Sequence, residues 1–329
     1  MSDQAPPGEF DLIRRYFAPL AAGFPGAYNL VDDAAVVAPS AGHELVVTTD
    51  ALIEGVHFLP DDPPDLIARK SLRVNLSDLA GKGARPRAYL LDLCLPSSAT
   101  GAWVGSFARG LAKDQTEFGI HLIGGDTCKT PGPLTIAITA IGEVVEGAMI
   151  RRSGARAGDE LWVTGTIGDA AHGLAVRRNA LPGAGPKDRK FLVARYRCPE
   201  PRVAFGHRLL GVASAAMDVS DGLVQDLGHI CAASKLGAVI EAGRVPLSAP
   251  VRRAVEREPS RLFDVLGGGD DYEVLFTVPA QLGATVADIG ESVGTPVSRI
   301  GRIVAGSGIS VIDAAGKPMK IDRPGYQHF

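Results

Sequence analysis

Apolar runs of strand length alternate with amphipathic helical stretches along this chain, and the alternation starts afresh near residue 150. That restart constrains the fold more than any other feature. Before it, "AAVVAP", "ELVVTTDAL", "RAYLLDLCLP", "HLIGGDT" and "LTIAITAIGEVV" read as strands. Residues 9–20, "PDLIARKSLRVNLSDLAGKGA" and "AWVGSFARGLAKDQTEFGI" read as helices. After it come a strand in "ELWVTG", a helix in "TIGDAAHGLAVRRN", a loop in "LPGAGPKDRK" and a helix over 202–213. A buried strand ending near Met217, a helix from Leu223, the strand "GAVIEA", and a loop then strand in "LFDVLGGGDDYEVLFTVP" follow. The pattern predicts an α/β (α+β) protein of two domains, 1–149 and 150–329, as the length of 329 residues allows.

Bulk properties exclude several function classes. A net charge of -3 advertises no basic face, so nucleic acid is not an expected partner. Cys94, Cys128, Cys198 and Cys231 are scattered, without a CxxC pair or zinc spacing, which fits a reduced, cytoplasmic setting. The opening "MSDQAPPGEF" is polar and acidic rather than signal-like. The longest apolar runs are too short to span a bilayer, so no membrane partner is expected. GxxxxGK[ST], HRD, DFG and GxSxG are all missing, which removes P-loop and protein-kinase chemistry.

What remains is a set of acidic turns. Asp32 and Asp33, Thr48-Thr49-Asp50, Asp78, Asp126, Asp218-Val219-Ser220-Asp221, and Asp270-Asp271-Tyr272-Glu273 each adjoin an apolar run or a Gly/Ser/Thr turn. Any single aspartate there is an ordinary cap or turn residue. If the turns converge, however, the carboxylates repel one another unless divalent cations neutralise them. Carboxylate and hydroxyl oxygens without Cys or His suit a hard cation, Mg²⁺ above all, and Mg²⁺ so held keeps open positions for phosphate. "GTIGDAAHG" could offer backbone N–H groups to phosphate at a helix start, and Arg151, Arg152 and Lys82 could meet its charge. Bland alternatives stand beside these readings. His57 could be a packing residue, Asp78 part of a solvated helix face, the two arginines solvated linker charges, and Tyr326 a packed terminal aromatic.

"GEFDLI", "VVTTDALIEGVHF", "VNLSDLAGKGARPRAYLLDL", "LIGGDT", "RSGARAGDELWVTGTIGDAAHGL", "MDVSDGLVQDLGHI", "GGGDDYEVLFTVP" and the closing "GYQHF" together resemble the thiamine-monophosphate kinase family, in unbroken order from residue 8 to 329. This family is a branch of the aminoimidazole ribonucleotide synthetase-like superfamily. The resemblance implies an N-terminal domain that forms a dimer-interface β-barrel with its copy, and a C-terminal mixed sheet covered by helices. It implies direct, Mg²⁺-dependent transfer of the ATP γ-phosphoryl to thiamine monophosphate, giving thiamine diphosphate, by a cytoplasmic homodimer. Metal ligands would be Asp33, Thr48, Thr49, Asp50, Asp78, Asp126, Asp218 and Asp221. ATP contacts would be Gly125, Asp126, Arg152 and Ser220. Substrate contacts would be His57, Asp270 and Tyr326, with no residue acting as general base.

Three positions depart from the family pattern. Val31 stands where a glycine is usual, Asp270 where a glutamate is, and Arg323 where some members have an aromatic. Other branches fit less well. A selenophosphate synthetase would want a reactive Cys in a glycine-rich N-terminal segment, and none precedes Cys94. A hydrogenase maturation factor would end in Cys, whereas this sequence ends "QHF". A non-catalytic metal- or nucleotide-binding module is the third alternative.

Overall fold

A computed structural model describes residues 8–327. His328 and Phe329 of the closing motif, and the polar opening segment 1–7, lie outside the described residues. The chain divides into two compact units, one of residues up to 79 with 85–147, the other of 80–84 with 148 onward. Both carry mixed sheets covered by helices.

The first unit contains α1 (Glu9–Leu12), β1 (His43–Ile53), α2 (Pro64–Gly81, its last two residues clustering with the second unit), β2 (Arg85–Pro96), α3 (Gly101–Phe118), β3 (His121–Thr130) and β4 (Thr135–Val145). Its sheet is open and four-stranded, in the order β1-β4-β2-β3, with only β2 and β3 parallel. Strand alternation sends Tyr89, Leu91, Leu93, Ile136, Ile138 and Ala140 into the core. On that side the Tyr89 hydroxyl donates to Gln115 of α3 at 3.0 Å. Arg73 of α2 grips the fully buried Asp114 of α3 with two bonds of 2.7 and 2.9 Å, locking the helix pair. The other face leaves Val47, Thr49, Ala51, Asp92, Asp126 and Cys128 exposed.

Two expectations for this unit need correction. Residues 9–20 do not form one α-helix: α1 gives way to a π-helical turn, Ile13–Phe17, and a 3₁₀ turn, Ala18–Ala21. Pro19 has no N–H with which to continue the ladder. "AAVVAP" is not a strand. It keeps period-2 alternation, but Ala35 and Val37 pack against a buried cluster of Ala21, Ala27, Ala88 of β2 and Ile123 of β3 without joining the sheet. Gly26 fits beneath this segment because a Cβ there would come within 2.1 Å of the Val36 carbonyl oxygen.

The second unit holds β5 (Glu160–Thr164), α4 (Asp169–Arg177), α5 (Pro186–Arg197), α6 (Val203–Arg208), β6 (Ala215–Asp218), α7 (Leu223–Ser234), β7 (Gly237–Glu241), α8 (Ala249–Arg257), α9 (Arg261–Gly267), β8 (Val274–Val278), α10 (Gly283–Ser292), β9 (Val297–Val304), β10 (Gly308–Ile312) and β11 (Pro318–Met319). The seven strands run β11-β10-β7-β9-β5-β8-β6, and only β7 and β10 are parallel. Here both sheet faces are buried. Ala215, Met217 and Leu275 enter one apolar cluster, while Ala216, Val274 and Phe276 enter another. Such strands read as continuous apolar runs, as "AAM" and "VLFTV" do. Helix α5 begins inside the expected loop "LPGAGPKDRK", because Pro186 is preset for a first helical position. α6 is shorter than 202–213, and "LFDVLG" is helical, anchored by the buried Val265 and Leu266.

Candidate functional site

In the first unit, β1 presents Thr48, Thr49 and Asp50 in succession. Asp78 projects from α2, and Thr48 Oγ1 donates to its Oδ2 at 2.5 Å. Asp78 is therefore half-buried and engaged rather than part of a solvated face. Thr49 lies on the opposite face, where its hydroxyl donates to the Ile138 carbonyl and accepts from Thr139. On β3, Asp126 stands in register with Asp92 of β2, and one of its oxygens accepts from the Thr127 N–H. Asp92 is an acid that sequence reasoning passed over, since nothing in "LLDLC" signals its lateral neighbour. Gly125 is required before Asp126: its φ is 141°, and a Cβ would fall 1.9 Å from the Leu91 carbonyl oxygen. Asp32 and Asp33 are exposed, following three successive left-handed residues, Tyr28, Asn29 and Leu30. His57 Nδ1 accepts the Ile53 N–H at 3.0 Å, so the neutral ring carries its proton on Nε2.

The second unit builds its acidic turn differently. β6 ends at the buried Asp218, and α7 starts after Gly222. Asp226, which sequence reasoning also missed, accepts the N–H groups of Ser220, Asp221 and Gly222 on one oxygen, at 3.0, 3.0 and 3.1 Å. Its position in the first turn of a helix entered through glycine was the available signal. Burial pushes the Asp226 carboxyl up to about 7, and the Asp221 charge adds to this against the opposing backbone donors. The 267–273 loop is stitched to this turn by Asp270 N–H to Ser220 O, Tyr272 N–H to Val219 O and Val219 N–H to Glu273 O, each 2.8 Å. Asp270 (φ 70°) and Tyr272 (φ 51°) are both left-handed, and the Tyr272 hydroxyl donates to Asp270 at 3.2 Å.

The acids of "DDYE" separate by role. Asp271 is buried and accepts the N–H groups of Gly168 and Ala170, at 2.7 and 3.3 Å; burial holds its carboxyl well above the usual range. The helix start in "GTIGDAAHG", expected to be open to phosphate, is thus capped from within. Glu273 is buried in an ion network with Arg195 and Arg202. Lys82, expected to meet phosphate, donates to the Ala216 carbonyl at 2.8 Å. Arg151 and Arg152 are exposed. Tyr326 is 40% exposed, and its N–H donates to the Asp221 carbonyl at 2.9 Å.

Among the described residues, no three His, Cys, Asp or Glu side chains group closely enough to hold a metal by themselves. The donors nonetheless fit a hard cation that brings its own phosphate ligands: Thr48 and Asp78 offer only oxygen, as do Asp218, Ser220 and Asp221. The neighbouring thiols do not compete. Cys94 and Cys128 share a hydrogen bond, their Sγ atoms 3.2 Å apart, and that bond, with burial, the neighbouring thiol and the nearby acids, pushes Cys94 up to about 11. Among the described residues no helix is long and apolar enough to cross a membrane.

Comparison with known proteins adds the following. The family model "AIR synthase related protein, N-terminal domain" matches residues 31–144, and the corresponding C-terminal domain model matches 156–314. A thiamine-monophosphate kinase of Caulobacter vibrioides is 41% identical over 98% of this chain and 92% of its own. The crystal structure of thiamine-monophosphate kinase from Stenotrophomonas maltophilia K279a is 42% identical, with a TM-score of 0.80 over 88% of this chain and 91% of that one. A structure described as AaThiL complexed with AMPPCP and TMP is 31% identical, with a TM-score of 0.78 over 98% of this chain and 97% of that one.

Proposed function

The chain belongs to the thiamine-monophosphate kinase family, and from that premise we propose how its own residues carry the reaction. It is an ATP-dependent kinase that transfers the γ-phosphoryl of ATP to thiamine monophosphate, giving thiamine diphosphate and ADP. In the proposed assignment, Asp33, Thr48, Thr49, Asp50, Asp78 and Asp126 of the first unit, and Asp218 and Asp221 of the second, hold Mg²⁺ ions. The observation that carries it is the preformed oxygen presentation: the Thr48–Asp78 pair, and a turn whose three N–H groups converge on Asp226 so that Asp218 and Asp221 stand on a fixed backbone.

Donor and acceptor are both anions, and their approach is the main electrostatic obstacle. Bound Mg²⁺ supplies screening of that repulsion and stabilises charge on the transferring group. The acceptor phosphate is already ionised near neutral pH, its second pKa being about 6, so no side chain need take a proton. Gly125, Asp126, Arg152 and Ser220 receive ATP, with the exposed guanidinium of Arg152 free to pivot onto phosphate. His57 offers its Nε2–H to substrate, because the Ile53 N–H occupies Nδ1. Asp270 supplies a carboxylate to the cationic ring system, and Tyr326 a stacking face. The part of the four-stranded sheet face left open around Val47 and Ala51 suits a second copy, and we assign it to a homodimer in which two such sheets close into a barrel. Free cysteines throughout fit a cytoplasmic setting.

The test is direct. Protein incubated with ATP, Mg²⁺ and thiamine monophosphate yields thiamine diphosphate, chelation with EDTA stops it, and Asp50→Asn lowers kcat at least about a hundredfold. No product in parallel with an active control kinase overturns the function. Unchanged turnover in Asp50→Asn overturns the metal assignment.

A further inference from the structure

The segment that carries Tyr326 has no helix or strand across residues 320–327. The turn before α7 and the first residues of that helix hold it by backbone hydrogen bonds and by one side chain, Gln225. Gln225 Nε2 donates to the Tyr326 carbonyl at 2.7 Å and to Asp221 Oδ2 at 3.3 Å. The Gln225 backbone N–H donates to the Pro324 carbonyl at 3.1 Å, and the Tyr326 N–H returns to the Asp221 carbonyl at 2.9 Å. The fit is close. A Cβ on Gly325 would fall 2.5 Å from the Gln225 Cβ, and one on Gly267 would fall 2.3 Å from the Arg323 carbonyl oxygen. Beside it lies a cavity of about 380 Å³ lined by Phe263, Gly269, Asp322, Arg323 and Tyr326.

We propose that Gln225 is a positioning residue that couples the acidic turn to the substrate-binding C-terminal segment, so that occupancy at Asp221 and placement of Tyr326 are read by each other. This rests on the assignment of Asp221 to Mg²⁺ and of Tyr326 to thiamine monophosphate made above. The chemistry favours an amide at this position. Its two N–H bonds reach a carbonyl and a carboxylate oxygen at once, whereas a glutamate would bring like charge to Asp221 and lose both donors. The bond also uses only one Asp221 oxygen, leaving the other for a cation. Meanwhile the adjacent Asp226 fixes the backbone of the same turn, so motion of the C-terminal segment is relayed to a loop that cannot drift independently.

The experiment combines kinetics with amide hydrogen exchange on wild type, Gln225→Leu, Gln225→Glu, Tyr326→Ala and the Gln225→Leu/Tyr326→Ala double variant. Loss of one hydrogen bond corresponds to about tenfold. Gln225→Leu and Gln225→Glu should each raise KM for thiamine monophosphate about tenfold, with a much smaller change in kcat. Gln225→Leu should add nothing further in the Tyr326→Ala background. The Tyr326 amide should exchange about tenfold faster in both Gln225 variants, with an unchanged melting temperature. A merely structural role would move melting temperature and kcat together, with the same effect in either background. KM and Tyr326 exchange within twofold of wild type in both variants overturns the proposal. Faster exchange in the variants of a protein that makes no thiamine diphosphate overturns the kinase reading instead and leaves the link to the segment standing.

Discussion

Glu273→Gln isolates the energetics of the buried network behind the 267–273 loop. The Glu273 side chain is fully buried. Its Oε1 accepts from Arg195 Nη2 at 2.8 Å and Arg202 Nη2 at 2.7 Å, and its Oε2 from Arg202 Nε at 2.6 Å and Thr164 Oγ1 at 2.7 Å. Every neighbour is a donor. An amide in place of the carboxylate therefore points its own N–H groups at a guanidinium donor, whichever way it is flipped, and leaves two largely buried guanidinium groups with only the exposed Glu200, and for Arg195 also Asp169 at 3.8 Å, as counter-charge. Breaking a buried pair in this way costs about 3–5 kcal/mol. At a urea m-value of about 3 kcal/mol/M for a unit this size, the midpoint falls by roughly 1–1.7 M. The two tryptophans make the assay clean, since Trp103 lies in the first unit and Trp162 in the second. In a Trp103→Phe background, fluorescence follows the second unit alone. Replacing all three charges together, as Glu273→Leu with Arg195→Met and Arg202→Met, should return most of the loss, because it removes the desolvation cost along with the attraction. A midpoint shift below about 0.3 M in Glu273→Gln would refute the account of Glu273 as the main buried counter-charge of the two arginines.

Two further outcomes follow from the geometry. Asp226 has a folded-state pKa raised to about 7, so the stability that its protonated form contributes is complete below its unfolded value near 4 and is lost as pH rises to about 7. In EDTA, wild type should therefore lose roughly 2–3 kcal/mol relative to Asp226→Asn between pH 5 and pH 8, measured by urea unfolding; parallel pH profiles would count against it. Gly125→Ala should destabilise the first unit by more than about 3 kcal/mol and abolish turnover, because the added methyl meets the Leu91 backbone and not a movable side chain; near-normal melting in a thermal scan would contradict the strand geometry.

Much of the architecture was legible because its signals are local. Thr48 to Asp50 sit in a period-2 strand, and Asp218 closes a fully buried one before a glycine-entered helix. What could not be read depended on partners distant in sequence. Asp271 looks like Asp270, yet it turns inward to cap a helix a hundred residues earlier, and the phosphate-like helix start is filled for that reason. Glu273 is claimed by Arg195 and Arg202. "AAVVAP" has strand periodicity, but its alternation serves packing on a sheet and not pairing within one. Asp92 beside Asp126 is visible only once β2 and β3 are in register.

The contrast between a sheet buried on one face and a sheet buried on both has a bearing on biogenesis. Translation delivers the four-stranded unit first, with Val47 and Val145 still 60% and 50% uncovered. A nascent chain in that state presents β-branched surface to its neighbours on the polysome, and chaperone capture or prompt pairing of two copies would shield it. The seven-stranded half, with apolar clusters on either side, emerges needing no such escort.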